Sequence, residues 1–418
     1  MSAIMGFQQS ALLDGEVRPL YGSAPAAFDS ARIRQVTVTR SIYVVGGVTG
    51  LLALIGTIGA AFSQQFAFGY LTAFVFAISI AIGSLFWVFI HHLTGAGWSV
   101  VVRRQFENLT LSLPVLALLF VPVALNQSSL YAWMDSAANA NDPLWQAKHG
   151  YLNATWFVVR SGIYLLCWAG LAWRMRDWSV KQDQSGDVAL TWKMAGVSAW
   201  GMALLALTST YAAFDWLMSL DYRWYSTMYG VYFWAGSIVS SLAALTLAVL
   251  VLRAVGWLRG AVTQEHLHDL GKLLFAFTVF WAYIAFSQYL LIWYANLTDE
   301  TPWYLLRLQG GWRRVTIVLM LGHFVVPFAV LLSRRAKRSA FVLGFVAIWL
   351  LTFHYLDLYW QVMPIVRETE SAPHLLDVVW LFAFVGVVVL GLLYGMKTSA
   401  LLPLRDPRLA ESLRFHEE

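Results

Sequence analysis

Apolar residues in this chain gather into runs that are almost free of charge over 17 to 25 positions, at about 41–62, 70–91, 109–125, 152–172, 190–214, 228–252, 271–295, 313–333, 340–361 and 376–396. A helix rises about 1.5 Å per residue and a bilayer core is about 30 Å thick, so each run is long enough to cross a membrane as a helix. The pattern predicts an all-α polytopic membrane protein with ten transmembrane helices. Gaps between the runs, the longest at 126–151, 173–189 and 253–270, leave no room for an extramembrane domain. Three segments follow: an N-terminal arm at 1–40, a membrane domain at 41–396 and a C-terminal tail at 397–418. The arm is polar and interrupted by Gly15, Pro19, Gly22 and Pro25, which fits a segment lying on the membrane or on a neighbouring subunit, or a disordered tail.

The positions of Lys and Arg orient these helices. One set of connections holds Arg18, Arg32, Arg34 and Arg40, then Arg103 and Arg104, Arg174, Arg176 and Lys181, Arg253 and Arg259, Arg334, Arg335, Lys337 and Arg338, and finally Lys397, Arg405, Arg408 and Arg414. The alternate set holds only Lys148, Arg223, Arg307 and Arg367, with Arg313 and Arg314 opening a span. Cytoplasmic loops retain positive charge, so an even number of spans with both termini in the cytoplasm is expected. Composition agrees: with 59% hydrophobic and 12% charged residues, the chain has too little charge to cover a soluble globule. The net charge of +5 is explained by topology and calls for no nucleic acid. Cys167, the single cysteine, lies in an apolar run, so this chain alone builds no disulfide, Cys-ligated cluster or c-type haem. Before Arg40 there is no short apolar run with a small-residue cleavage site, and the first span is expected to target the chain.

Against this apolar background the stretch Thr208–Trp234, TSTYAAFDWLMSLDYRWYSTMYGVYFW, stands out. Asp215 and Asp221 fall between two spans on the side poor in Lys and Arg, among Trp216, Trp224, Tyr225, Tyr229, Tyr232 and Trp234. Such rings suit the headgroup level, as a structural belt or as a functional surface.

A charge near the bilayer centre is costly and needs a partner or a watered pocket. The candidates are Arg160 in the fourth span, His323 in the middle of the eighth, and His354 with Asp357 in the outer half of the ninth. His91 and His92 close the second span on the basic side, with Glu107 beyond them. Lys193 and Lys272 lie near span ends, where they can snorkel. His354 and Asp357 are three residues apart and share a helix face, so a carboxylate can hold, or exchange a proton with, an imidazole. The same pair can instead lock two helices together. A bis-histidine haem on His323 and His354 is disfavoured, because the remaining histidines of this kind lie in loops or tails. No Cys pair, P-loop or HExxH is present, and nothing reads as an autonomous catalytic site. The expected proton-path residues are His91, His92, Glu107, Arg160, His323, His354, Asp357, Asp215 and Asp221, with the last two at the outer exit. Asp357, His354 and Tyr359 also supply groups suited to a quinone pocket, though only weakly.

The turn AAFDWLMSLDYRWYSTMYG (Ala212 to Gly230), with TGAGWSVVVRRQFENL (Thr94 to Leu109), resembles ActF, the smaller of the two NrfD-like integral-membrane components of the quinol-oxidising alternative complex III. The resemblance runs over all ten spans. It implies two four-helix bundles, spans 2–5 and 6–9, flanked by spans 1 and 10. It further implies a bacterial inner-membrane respiratory complex that oxidises menaquinol or ubiquinol. Electrons would pass through iron-sulfur clusters and c-type haems in other subunits to a cytochrome c or a terminal oxidase. The implied partners are the larger NrfD-like subunit (ActC), which is the better candidate for the quinol site, an iron-sulfur subunit, multihaem cytochrome c subunits, small membrane subunits and lipids. This chain would bind no cofactor itself and would support the larger subunit or contribute a proton path. A purely structural scaffold is the neighbouring reading. A secondary transporter is a more distant one, since the span prolines, Pro114, Pro122 and Pro327, do not form paired broken helices.

Overall fold

The computed structural model describes residues 37–60 and 66–416; most of the N-terminal arm lies outside the described residues. Among the described residues ten helices have the length and apolarity to cross a membrane: α1 (Thr39–Ala60), α2 (Phe66–Thr94), α3 (Val100–Leu125), α4 (Ala154–Ser185), α5 (Ala189–Trp216), α6 (Met228–Ala254), α7 (Gln264–Ala295), α8 (Trp312–Leu332), α9 (Ala340–Val362) and α10 (Leu375–Thr398). The chain is an all-helical, multi-pass membrane protein.

The molecule is arranged around α2. No Lys, Arg, Asp or Glu interrupts its sequence, and it packs against α6, α10, α5, α3 and α9. Its most apolar stretch is 94% buried, whereas that of α1 is 6% buried. A helix apolar all round and surrounded by helices is a core helix; one equally apolar and uncovered faces lipid. Accordingly α1 packs chiefly on α10 and turns Tyr43, Val44, Leu51 and Ile58 outward. α2 and α6 are in tight contact at Gly83, where an added Cβ would lie 2.0 Å from the Ser237 carbonyl oxygen. That oxygen is backbone and cannot swing away. Gly83→Ala is expected to force the two helices apart and lower stability by about 2–3 kcal/mol, read as a lower unfolding midpoint in detergent. An unchanged midpoint would show that the contact is looser than the geometry has it.

Prolines shape two spans. α3 is built from three helical segments, Val100–Thr110, Leu113–Leu118 and Val121–Leu125, with Pro114 and Pro122 in the first turns of the second and third, where a missing N–H costs least. In α8 a π-helical segment covers Met320–Val325 and ends just before Pro327. A proline ring clashes with the carbonyl four residues earlier, here that of His323, and the wider turn relieves the clash. The neighbouring Gly322 carbonyl accepts from the Trp349 indole N–H at 2.6 Å.

α3 begins earlier than its hydropathy predicts. Arg103, Arg104 and Glu107, expected in or beside a loop, are helical and almost wholly buried. Hydropathy stops at charge, but here the charge is neutralised by residues distant in sequence. Arg103 meets Asp406 at 2.5 Å, Arg104 meets Asp183 at 2.6 Å, and Glu107 lies 3.4 to 3.7 Å from guanidinium nitrogens of Arg176, Arg104 and Arg103. The C-terminal segment is consequently pinned on this basic side. The Leu404 N–H donates to Asp183 at 2.9 Å, and the Ser412 hydroxyl donates to the Trp98 carbonyl at 2.6 Å.

Candidate functional site

Five helices converge on a polar cluster within the apolar core. α9 supplies His354 and Asp357, α6 Tyr232, α2 Ser79, α7 Trp281 and α8 His323, and all six are buried. Gly236 of α6 makes room for the imidazole, since a Cβ there would lie 2.9 Å from His354 Cε1.

His354 Nε2 lies 2.8 Å from Ser79 Oγ, and that oxygen is 2.7 Å from the Phe76 carbonyl. One hydroxyl has one proton to donate. With it on the Phe76 carbonyl, Nε2–H is the donor to Ser79 and Nδ1 is bare; with it on Nε2, the tautomer reverses. His354 Nδ1 meets no hydrogen-bond partner among the described residues. The Asp357 carboxylate accepts from the Tyr232 hydroxyl on Oδ1 and from the Trp281 indole N–H on Oδ2 at 3.3 Å. Its direct partners among the described residues are neutral donors, so no guanidinium or ammonium pins it as a permanent ion pair. His323 packs against Trp281, with ring centroids 3.8 Å apart, and meets His354 edge-on at 6.4 Å. Neither His323 nitrogen has a hydrogen-bond partner among the described residues.

His354 and Asp357 share one side of α9, as their spacing predicts, but no hydrogen bond joins them. The imidazole reaches α2 while the carboxylate reaches α6 and α7. Tyr359, grouped with them by chemistry for a quinone pocket but on another face of the helix, is held elsewhere. It receives a hydrogen bond from Arg367 at 2.9 Å and donates to the Ala372 carbonyl at 3.2 Å. Two positions along a helix are about 200° apart, which turns Tyr359 away from Asp357. The hydroxyl that meets Asp357 is instead that of Tyr232, 125 residues away in sequence.

On the side of the cluster toward the turn at 217–227, Tyr232 and Trp281 also form the inner wall of an apolar cleft of about 410 Å³, bounded further by Tyr304, Arg307, Phe324 and Trp360. Arg307 is fully buried. It donates to the carbonyls of Trp303, Trp360 and Gln361 at 2.8, 3.1 and 2.6 Å and lies 3.3 Å from the centroid of the Trp303 ring. Burial lowers its pKa to about 9, which leaves it cationic at neutral pH.

Toward the basic side, buried hydroxyls follow the α2–α6 contact: Ser79, Ser84, Ser237, Ser240 and Ser241, each within hydrogen-bond distance of a carbonyl three or four residues earlier. Ser79 and His91 are twelve residues apart on α2, about 18 Å along the axis. His91 is packed among Trp87, Trp98 and Phe106, and both its nitrogens lack hydrogen-bond partners among the described residues. His92 is buried next to it.

The remaining charged residues expected on a proton path are held in ion pairs or turns. Arg160 is not at mid-membrane; it lies in the second turn of α4 and grips Asp215 through two hydrogen bonds of 2.9 Å. Tyr164 donates to the same carboxylate at 2.9 Å. Glu107 accepts from Ser179 at 2.9 Å within its ring of arginines. Asp221 is half-buried and caps its own turn, accepting from the Arg223 N–H at 3.2 Å. The aromatics of this turn do not form a belt facing lipid. Trp216, Trp224, Tyr229 and Tyr232 are interior, with Trp224 stacked on Trp303 at 4.5 Å, and Tyr225 alone of those named is exposed.

Ser79, Tyr232 and Trp281 are the members of the cluster that sequence reasoning missed. Tyr232 is one of many aromatics in its stretch, and a serine in an apolar helix usually satisfies itself against its own backbone. No known protein-family model matches this sequence, and no curated protein matches it either.

Proposed function

We propose that the chain is the smaller NrfD-like membrane subunit of a quinol-oxidising alternative complex III, in a bacterial inner membrane with both termini cytoplasmic, and that it carries protons within that complex. The observation that supports this reading is the cluster of Asp357, Tyr232, His354, Ser79 and His323. Among the described residues it combines a carboxyl group lacking a salt-bridge partner with imidazole nitrogens lacking hydrogen-bond partners, at a depth where uncompensated polar groups are otherwise expelled. Proton-carrying chains in membranes are built from such groups. The hydroxyls on the α2–α6 contact extend the cluster toward His91 and His92, and Asp357 faces the opposite side through Tyr232 and the cleft. Glu107, Arg160 and Asp215 serve this reading as fixed ion pairs framing the path.

The expected pair of four-helix bundles draws support from packing within each group, with α2 and α6 in contact across the two. α2 meets α3 and α5, α4 meets α3 and α5, α6 meets α7 and α9, and α8 meets α7 and α9, while α1 rests on α10. In this reading the haems, iron-sulfur clusters and quinol site belong to partner subunits, foremost the larger NrfD-like one. A purely structural role is the second reading, supported by the buried ion pairs at both ends.

Purification through a tag on this chain is expected to bring down a multi-subunit assembly with haem and iron-sulfur spectra; a colourless lone protein would remove the respiratory assignment. In liposomes holding that assembly, Asp357→Asn is expected to reduce proton translocation about tenfold or more while assembly is preserved. Full translocation by Asp357→Asn and by His354→Ala would leave the scaffold as the role of this subunit.

A further inference from the structure

From the edge of the polar cluster toward the basic side, the helices bound a second and larger space. An apolar cleft of about 660 Å³ runs between α6, α9 and α10, lined by residues including Ala248, Ile348, Leu351, Val385 and Leu392. It adjoins a recess of about 890 Å³ at the basic ends of α6 and α9, the two sharing Leu247, Val251 and Ile348 as wall residues. Arg253 and Arg259 line the recess, and neither cavity has a carboxylate in its wall.

We propose that this composite groove binds an anionic phospholipid, with acyl chain in the cleft and phosphate in the recess. The apolar part suits a hydrocarbon chain because its wall offers almost no polar atom to leave unpaired. Its lipid-side residues Val251, Ile348 and Phe382 are largely exposed, so a chain enters sideways from the bilayer. The recess suits a phosphate because Arg253 and Arg259 make no ion pair or side-chain hydrogen bond with any described residue. Two other basic residues nearby are engaged. Arg338 pairs with Glu265, and Lys337 lies over the Phe275 ring at 5.4 Å. Arginine binds phosphate through parallel N–H bonds, and a half-buried site such as that of Arg253 is less screened than open surface. Ala340 and Gly344 of α9 keep the facing wall low, and the first turn of that helix adds a favourable dipole for an anion. Charge at one end and hydrocarbon at the other select a lipid over a free phosphate, which would use the recess alone.

The test is retention of added lipid by the full chain, or by its assembly, during detergent washing, followed by native mass spectrometry. The probes are phosphatidylglycerol, phosphatidylcholine and inorganic phosphate. The native protein is expected to retain phosphatidylglycerol in strong preference to phosphatidylcholine, and Arg253→Ala with Arg259→Ala to reduce that preference roughly 25-fold, about fivefold per arginine. Ile348→Trp, which fills the junction of the two cavities, is expected to lower retention of both lipids. Arg334→Ala with Arg335→Ala, removing exposed charge from the same side, is expected to leave the preference intact. Equal retention of the two phospholipids by the native protein would overturn the proposal. So would an undiminished preference after loss of Arg253 and Arg259, an equal loss in the Arg334 and Arg335 variant, or competition by inorganic phosphate alone.

Discussion

Replacing Glu107 by alanine is expected to lower the stability of the purified protein by about 3–5 kcal/mol, the largest effect of any single substitution on the basic side. Three arginines, Arg103, Arg104 and Arg176, are balanced there by three acids, Glu107, Asp183 and Asp406. Glu107 is the one within 4 Å of all three guanidinium groups, and almost none of the cluster reaches solvent. Removing it leaves three buried cations with two acids. Breaking a buried network from one side costs far more than its net worth, because the stranded charges keep their desolvation penalty. The loss is read as a lowered unfolding midpoint in detergent. A second readout is the C-terminal segment, which Asp406 and Ser399 tie to the arginines. Its release is expected to expose residues 399–416 to proteolysis. A loss below about 1 kcal/mol, the range of solvent-exposed pairs, would show that water reaches the cluster.

At the opposite end, Asp215→Ala is expected to cost a similar 3–5 kcal/mol. The carboxylate is fully buried and receives two bonds from Arg160 and one from Tyr164, while the guanidinium also lies 3.7 Å from the centroid of the Tyr151 ring. Without Asp215 the guanidinium retains the Tyr151 carbonyl and that ring but no counter-charge. The decisive variant is Arg160→Met with Asp215→Leu. Replacing both partners by apolar residues removes both desolvation penalties, so the double substitution is expected to recover most of the stability lost in the single one. Additive losses in the double-mutant cycle would mean that the two side chains act independently. The same variant separates roles: if Arg160 and Asp215 frame a path without carrying protons, the refilled pair keeps proton translocation in the assembled complex.

The contrast between Asp215 and Asp357 bears on how far the sequence could be read. Both are aspartates toward the same side of apolar runs, and composition treats them alike. Asp215 lies against a guanidinium and Asp357 against a phenol and an indole. Nothing within several residues of either announces which. Arg160 lies 55 positions from Asp215, and Tyr232 lies 125 from Asp357. The residue types of the cluster were legible, because His323, His354 and Asp357 are conspicuous in spans that otherwise exclude ionisable groups. Their partners were not, because a serine, a tyrosine and a tryptophan are ordinary in such helices.

What the sequence by itself determined are properties set by local chemistry. Ten spans follow from runs of apolar residues, since a backbone in hydrocarbon must satisfy its own hydrogen bonds and does so as a helix. The basic and neutral sides follow from where Lys and Arg fall, and the disturbance of α8 follows from Pro327. The tertiary structure alone decided which helix is central, since α1 and α2 are both apolar enough to cross a membrane and only packing distinguishes lipid from protein as a neighbour. It also decided that the aromatics of the turn point inward, and that α3 begins inside a charged stretch. In each case the physical reason is the same. Hydropathy measures the cost of removing one residue from water, whereas the fate of a buried polar or aromatic group depends on the partner that meets it there.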